Sequence, residues 1–506
     1  MAAQDLNLMW ETLANSFALF AQVDNALALL IGVIVGTIIG AIPGMTTPMG
    51  VALALPFTFT MQPVTGILLL LGVYKGGLYG GSLTAILINA PGTPAASCTG
   101  LDGYPLAQRG EARRALDMAL YASCTADFVS NLSLIFFAGV LAQFALSFGS
   151  PEFFTLIVFS LTIIASVSGN VLLKGLGSAC LGLLLSIVGL DLIYGTNRFV
   201  FGQVDLMGGL NFIPVLIGLF ALPEVLNFYS RTETVRSLSA LAGKGATFLD
   251  YRKAFKTIMR GSLIGVILGV IPGIGGAPAA FLSYSEARRT SKNPNNFGKG
   301  ELEGVAAAEA GNNGVAGATL IPLLALGVPG DIITAIILGA FMIHGLRPGP
   351  LLFQENITLI YALFMGIMLS SIYLFIVGKL SIRMIAKIAD IPQRMLFPVV
   401  LILCVFGAYA INNTVFDILV MFVMGIVGFG MLRLGIPAAP FLIAFILGPL
   451  LEDNFRQSLL LGRGSWSIFF QSGICIFFWL LTVLTVVFLF YQRWMGSKIF
   501  QEENNG

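Results

Sequence analysis

Hydroxyl and amide side chains gather where Pro-Gly interrupts an apolar run, at Pro43-Gly44, Pro91-Gly92, Pro272-Gly273 and Pro329-Gly330. Thr46, Thr47, Ser82, Thr84, Asn89 and Thr93 flank the breaks of the first half, and Glu309, Asn312, Asn313, Thr319 and Asp331 those of the second. Proline removes a backbone donor and glycine tolerates unusual dihedrals, so carbonyls and amides are freed in the interior, where they must find a partner. A solute or ion is such a partner. Hydroxyls and amides can grip a carboxylate or a sodium ion without a full desolvated charge, and helix N-termini favour anions. The candidate substrate-binding residues are Gly44, Thr46, Thr47, Asn89 and Thr93 from one half, and Gly273, Gly275, Asn313 and Asp331 from the other. Asn89 and Asn313 read as ligands, because a buried amide beside a broken backbone has about four hydrogen-bonding positions to fill.

Several of these residues have a plainer use. Thr46, Thr47 and Ser82 stand equally as helix caps or as bonds to the preceding turn. Asp331 reads as the N-cap of IITAIILGAFM, with ligation as its alternative. Lys75 and Asp127 lie in apolar surroundings, where an ionisable group is a functional candidate, and are expected to snorkel to an interface. His344 reads as a structural interfacial residue, and Arg347 as a loop anchor that could attract an anion at the outer mouth. Catalysis is not expected: Gly327 to Asp331 reads GVPGD rather than GxGD, and no serine occupies a GxSxG elbow. The cysteines Cys98, Cys124, Cys180, Cys404 and Cys475 are scattered without CxxC spacing, and His344 is the sole histidine, so neither a metal site nor a disulfide framework follows.

The elements that must hold these residues are duplicated. GVIVGTIIGAIPG, Gly32 to Gly44, returns as GSLIGVILGVIPG, Gly261 to Gly273, with Gly32, Gly36 and Gly40 in register with Gly261, Gly265 and Gly269. Each copy is expected to be a helix stopped by Pro-Gly after roughly twelve residues, about 18 Å against a hydrocarbon core of about 30 Å. GxxxGxxxG spacing lets membrane helices approach closely, so these glycines read as packing positions and the Pro-Gly ends as the functional signal. A second broken element follows each copy: Gly77 to Pro94 resembles Gly314 to Asp331 once one residue is inserted before the second Pro-Gly. Broken helices at matching positions in two halves point to the midplane site of a secondary transporter.

Composition requires a membrane. Hydrophobic residues make up 57% and charged residues 10% of the chain, where a soluble domain has about 25% charged. Apolar stretches near 119–146, 153–167, 171–190, 210–229, 359–377, 396–410, 415–431 and 467–491 are each about long enough to span. A net charge of +2 without a basic surface excludes nucleic acid as a partner. The N-terminus lacks a positively charged stretch and a cleavage site, so no removable signal peptide is expected.

No Lys or Arg precedes Lys75, whereas Arg231, Arg236, Lys244, Arg252, Lys253, Lys256 and Arg260 crowd the centre, which places that connection in the cytoplasm, the N-terminus outside and the C-terminus, with Arg493 and Lys498, inside. Cations flank the second Ile-Pro-Gly copy on both sides and none flanks the first. The two are therefore expected to be re-entrant hairpins dipping from opposite faces, with tips meeting near mid-membrane. The reading is an all-α polytopic membrane protein of two inverted-topology repeats with re-entrant hairpins and discontinuous helices: residues 1–230, a cytoplasmic connection over 231–260, and residues 261–506.

GTIIGAIPGMTTPMGVALALPFTF and YKGGLYGGSLTAILINAPGTPAASCTGLDGYPLAQRGEA, with FGKGELEGVAAAEAGNNGVAGATLIPLLALGVPGDIITAIILGAFMIHGLRPGP in the second half, resemble the large membrane subunit of the tripartite tricarboxylate transporters. The resemblance spans almost the whole chain. Ala308 stands where that family often has proline, and SCTADFVSN, Ser123 to Asn131, replaces a more glycine-rich stretch. The resemblance implies a permease subunit in the bacterial inner membrane, working with a small membrane subunit and an extracytoplasmic solute-binding protein to take up citrate-like carboxylates. It implies an ion gradient as the driving force, sodium or proton, and no cofactor beyond a coupling sodium ion. The absence of a GxxxxGK[ST] loop agrees that ATP is not used. A channel with re-entrant loops and a self-sufficient carboxylate carrier are the alternatives.

Overall fold

The computed structural model describes residues 2–167, 172–191, 194–230, 244–389 and 393–504. It is built of helices, with one short two-stranded ribbon, and forms two compact units: Met1–Ala145 with Phe212–Phe429, and Leu146–Asn211 with Gly430–Gly506. Arg231 and Arg236 of the central connection lie outside the described residues. Seven helices among the described residues are long and apolar enough to cross a membrane: Val23–Ala41, Pro63–Ile88, Ala112–Ala145, Ile357–Met384, Met395–Asn412, Val415–Leu434 and Ala438–Leu461. Their outward residues are apolar too, with Phe136, Phe137, Val140, Ile372, Phe406 and Ile426 exposed, as a lipid-facing surface requires.

In the larger unit, α1 (Ala2–Phe20) precedes α2 (Val23–Ala41), which stops at Ile42 and turns through Pro43 and Gly44, where φ is +82°. Thr46 caps α3 (Thr47–Ala54), accepting from the Met49 amide at 3.4 Å, and Pro48 occupies its first turn, where a missing N–H costs nothing. A 3-10 turn (Leu55–Thr60) leads to α4 (Pro63–Ile88), buried from Val64 to Leu87. Glycines set how these helices meet. A Cβ at Gly32, Gly36 or Gly40 would run into the carbonyl of Leu69, Val73 or Gly77, and one at Gly72, Gly76 or Gly80 into that of Leu29, Val33 or Thr37. Both helices advance by four residues per contact in the same sense, so α2 and α4 are parallel. α3 and the 3-10 turn run back along the pair, with Gly50 against Ile39, Thr47 beside Gly77 and Thr58 beside Gly66.

The chain continues through α5 (Ala96–Gln108) and α6 (Ala112–Ala145). In the smaller unit, α7 (Ser150–Val167) and α8 (Leu172–Ser186) lead to the ribbon β1 (Gly189–Leu190) and β2 (Asn197–Arg198). Back in the larger unit, 210–229 is not one span but α9 (Phe212–Phe220) and α10 (Leu222–Ser230), since Pro223 supplies no amide to continue the first helix.

The first arrangement then recurs. A capping box of Thr247 and Asp250 starts α11 (Phe248–Val270), Gly273 (φ +85°) and Gly275 (φ +66°) form the turn, and α12 (Gly276–Thr290) runs back. Next comes α13 (Leu302–Ala318), buried from Gly304 onward. Gly265 meets the Gly311 carbonyl and Gly269 that of Val315, so α11 and α13 are parallel, while α12 is antiparallel, with Gly276 beside Asn312 and Ser283 donating to the Ala307 carbonyl at 2.6 Å. α14 (Leu320–Leu326) and α15 (Ile332–Ile343) follow the second break.

The expectation of twelve-residue helices fails: α2 has 19 residues and α11 has 23. The repeated motif covers only their C-terminal parts. In α11 the earlier turns carry Asp250, Arg252, Lys253, Lys256 and Arg260, leaving Gly261–Val270 as the apolar portion.

Helices α16 (Leu352–Glu355), α17 (Ile357–Ala389), α18 (Gln393–Asn412) and α19 (Val415–Leu434) follow, with α19 reaching the boundary of the units. The smaller unit is completed by α20 (Ala438–Leu461) and α21 (Gly473–Asn504). There Gly182 lies against the Phe441 carbonyl, Phe154, Phe455 and Phe469 pack together, and Asp191 and Glu452 pair with Arg198 and Arg456.

Candidate functional site

The two breaks that follow α4 and α14 fold back onto the hairpin tips. After α4, Asn89 takes the left-handed conformation (φ 55°) and the Gly92 amide donates to the Gly81 carbonyl at 3.2 Å, with Gly92 pressed against the Gly40 carbonyl. After α14, Gly327 is left-handed (φ 72°), Gly330 packs on Thr319, and the Gly273 amide donates to the Gly330 carbonyl at 2.7 Å. Both Pro-Gly breaks thus close on the glycine helix of their own repeat.

The predicted site residues divide. Thr93 is buried and lies against Gly81, its Oγ1 accepting from the amide of Ala96, the first residue of α5, at 3.1 Å. Thr47 is buried one turn away against Gly77, and its Oγ1 has no hydrogen-bond partner. Gly44 is exposed at the first tip. In the second half Gly275 faces the Asp331 Cβ, and its neighbour Gly276 approaches Ala95, two positions beyond Thr93, so the two halves come together here. Asp331 is the N-cap of α15 in a capping box with Thr334, each accepting from the other's amide at 2.8 Å. Its second oxygen accepts from the Tyr74 hydroxyl at 3.2 Å, which joins α4 to α15.

Two residues are not where the sequence reading puts them. Asn89 is exposed rather than buried, because the left-handed turn carries it off the end of α4. Asn313 faces away from the tips, its Nδ2 donating to Ser123 Oγ at 3.0 Å and to Glu309 Oε2 at 3.2 Å. The amide turned toward the second tip is Asn312, fully buried beside Gly276 with neither Nδ2 nor Oδ1 hydrogen-bonded. An orphaned buried amide costs about 1–3 kcal/mol. Asn312 and Thr47 therefore leave donors and acceptors unsatisfied near the tips in both halves.

Lys75 and Asp127 do not snorkel. Each is 1% exposed, and they pair at 2.7 Å, with Lys75 also donating to Asn131 at 2.6 Å and Ser371 donating to Asp127 at 2.6 Å. Partners supplied by α4, α6 and α17 make burial tolerable for both charges. His344, half-buried, lies against Gly66, and Arg347 is exposed.

The helices long and apolar enough to span and the apolar residues exposed on them define a polytopic membrane protein. The match to the tripartite tricarboxylate transporter TctA family runs over residues 26–443, and the chain belongs to that family. It is 38% identical over 483 residues, 95% of this chain and 96% of the relative, to "Uncharacterized 52.8 kDa protein in TAR-I ttuC' 3'region" of Agrobacterium vitis. A second relative, "Uncharacterized protein in TAR-II ttuC' 3'region" of the same organism, is 40% identical over 210 residues, 42% of this chain and 87% of the relative. No solved structure matches. Membership in a tripartite family makes the chain one membrane component of a transport system that has others.

Proposed function

We propose that the chain is the permease subunit of a secondary transporter that takes up tricarboxylates or related carboxylates. A solute-binding protein outside the membrane delivers the substrate, a small membrane subunit accompanies the permease, and an ion gradient drives uptake. The chain resides in the bacterial cytoplasmic membrane with its N-terminus outside and its C-terminus inside.

The observation that carries this reading is the sense in which α4 and α13 pass. Tyr74 approaches Thr319, at 3.4 Å between hydroxyls, while Ser82 donates to Glu309 at 2.5 Å. Residue numbers rise along one helix as they fall along the other, so these corresponding helices of the two repeats are antiparallel. That favours two inverted repeats, with α2–α3 and α11–α12 as re-entrant hairpins opening to opposite faces. The apolar part of α11, from Arg260 to its tip, rises about 15 Å, roughly half a hydrocarbon core.

The carboxylates of the substrate would lie between the tips, against the amides at the starts of α3, α5, α12 and α15. Gly44, Thr46, Thr47, Asn89, Thr93, Gly273, Gly275, Asn313 and Asp331 are the sequence candidates. Asn312 joins them, and Asn313 supports the site from behind. Uptake of labelled di- and tricarboxylates into liposomes tests the function. Saturable uptake that needs the binding protein and the small subunit is expected, whereas full-rate uptake by the chain alone would make it a self-sufficient carrier.

A further inference from the structure

Glu309 is fully buried where four helices meet, and each helix supplies a partner. Ser82 of α4 donates to Oε1 at 2.5 Å, Thr99 of α5 donates to the same oxygen, Ser123 of α6 donates to Oε2 at 2.7 Å, and Asn313 of α13 itself donates to Oε2 at 3.2 Å. None of these partners carries charge. Tyr79 and Cys98, within electrostatic reach, are acids rather than cations. Among the other charges on the packed helices, Asp127 pairs with Lys75, Asp117 with Lys379 and Arg114 with Asp250, Asp102 accepts from Tyr284 and the Gly300 and Glu301 amides, Glu303 accepts from Thr257 of α11, and Glu286 of α12 pairs with Arg289.

A buried carboxylate without a counter-charge takes up a positive charge or neutralises. A sodium ion would hold its ligand oxygens apart around itself, whereas here the hydroxyls bond the carboxylate directly. A proton needs no such separation. Ser82, Thr99 and Ser123 can each donate to the ionised carboxylate or accept from the acid, so the cluster serves both states. From these contacts, and resting on the permease reading, we infer that Glu309 is the coupling site and that the coupling ion is a proton. One proton binds a Glu309 oxygen on the side of higher acidity and leaves on the other, with no other bond made or broken. The four helices joined there include α4, α5 and α13, which lead into or out of the breaks. Its protonation therefore reverses the direction of a hydrogen bond that joins the two repeats.

The test has two readouts on the full chain. Infrared difference spectra of the purified protein should show a protonated carboxylic-acid band that disappears on raising the pH and is missing in Glu309→Gln. In liposomes holding the complete transporter, an inward proton gradient should drive accumulation in the wild type. Glu309→Gln should lose that accumulation while keeping substrate exchange, and Glu309→Asp should regain a band and part of the driven uptake. Absence of the band in wild type at every pH, or accumulation in Glu309→Gln equal to wild type, overturns the inference. Failure of every form to move carboxylate, with the band present, would refute the permease reading instead.

Discussion

The Gly273 amide donates to the Gly330 carbonyl at 2.7 Å, so the tip of the second hairpin is fastened to the second Pro-Gly break. In the first repeat the corresponding break sits on Gly40, near the start of the first tip. A movement of either hairpin must therefore carry or release the break that follows it. Such coupled pieces suit a carrier that exposes one site alternately to two sides.

Helix approach in the first repeat depends on glycine. A Cβ at Gly36 would collide with the Val73 backbone, whereas one at Gly139 would meet nothing within 4 Å. Gly36→Ala should cost about 1–3 kcal/mol of stability, as overpacking does. Gly139→Ala should be neutral or stabilise by up to about 1 kcal/mol. Unfolding of the purified variants decides this, and equal effects at the two positions would contradict the packing.

The buried pair of Lys75 and Asp127 makes a non-additive prediction. Lys75→Met leaves the aspartate buried without its cation and should cost roughly 3–5 kcal/mol. Adding Asp127→Leu should recover much of that loss, because Asn131 and Ser371 still bond each other at 2.9 Å. A double variant as unstable as the sum of the single variants would show that the two side chains do not act as a pair.

Inversion predicts opposite labelling. Gln62 and Lys292 are both exposed, just beyond the return helices α3 and α12. On a background lacking the five native cysteines, Gln62→Cys should react with an impermeant thiol reagent from outside the cell and Lys292→Cys only from inside. Reaction of both from one face would remove the inverted arrangement.

The duplication and its four Pro-Gly breaks were legible because glycine and proline act locally, through backbone geometry and close approach. Capping by Asp331 was legible for the same reason. The choice between Asn312 and Asn313 was not. Successive residues on a helix point about 100° apart, and α13 is buried all round from Gly304, so no polar face marks its orientation. The pairing of Lys75 with Asp127 joins residues on separate helices and needed the tertiary structure. The length of α2 was misjudged because the repeated motif marks where that helix ends and says nothing of where it begins.

The most direct test of a carboxylate site between the tips is the Asn312→Leu variant. Leucine has nearly the shape of asparagine and removes the two polar atoms that are buried without partners. Stability should be unchanged or raised by about 1 kcal/mol, since an unsatisfied amide is lost. Carboxylate uptake by the complete transporter should fall to background. Uptake equal to wild type by a stably folded Asn312→Leu protein would contradict the account.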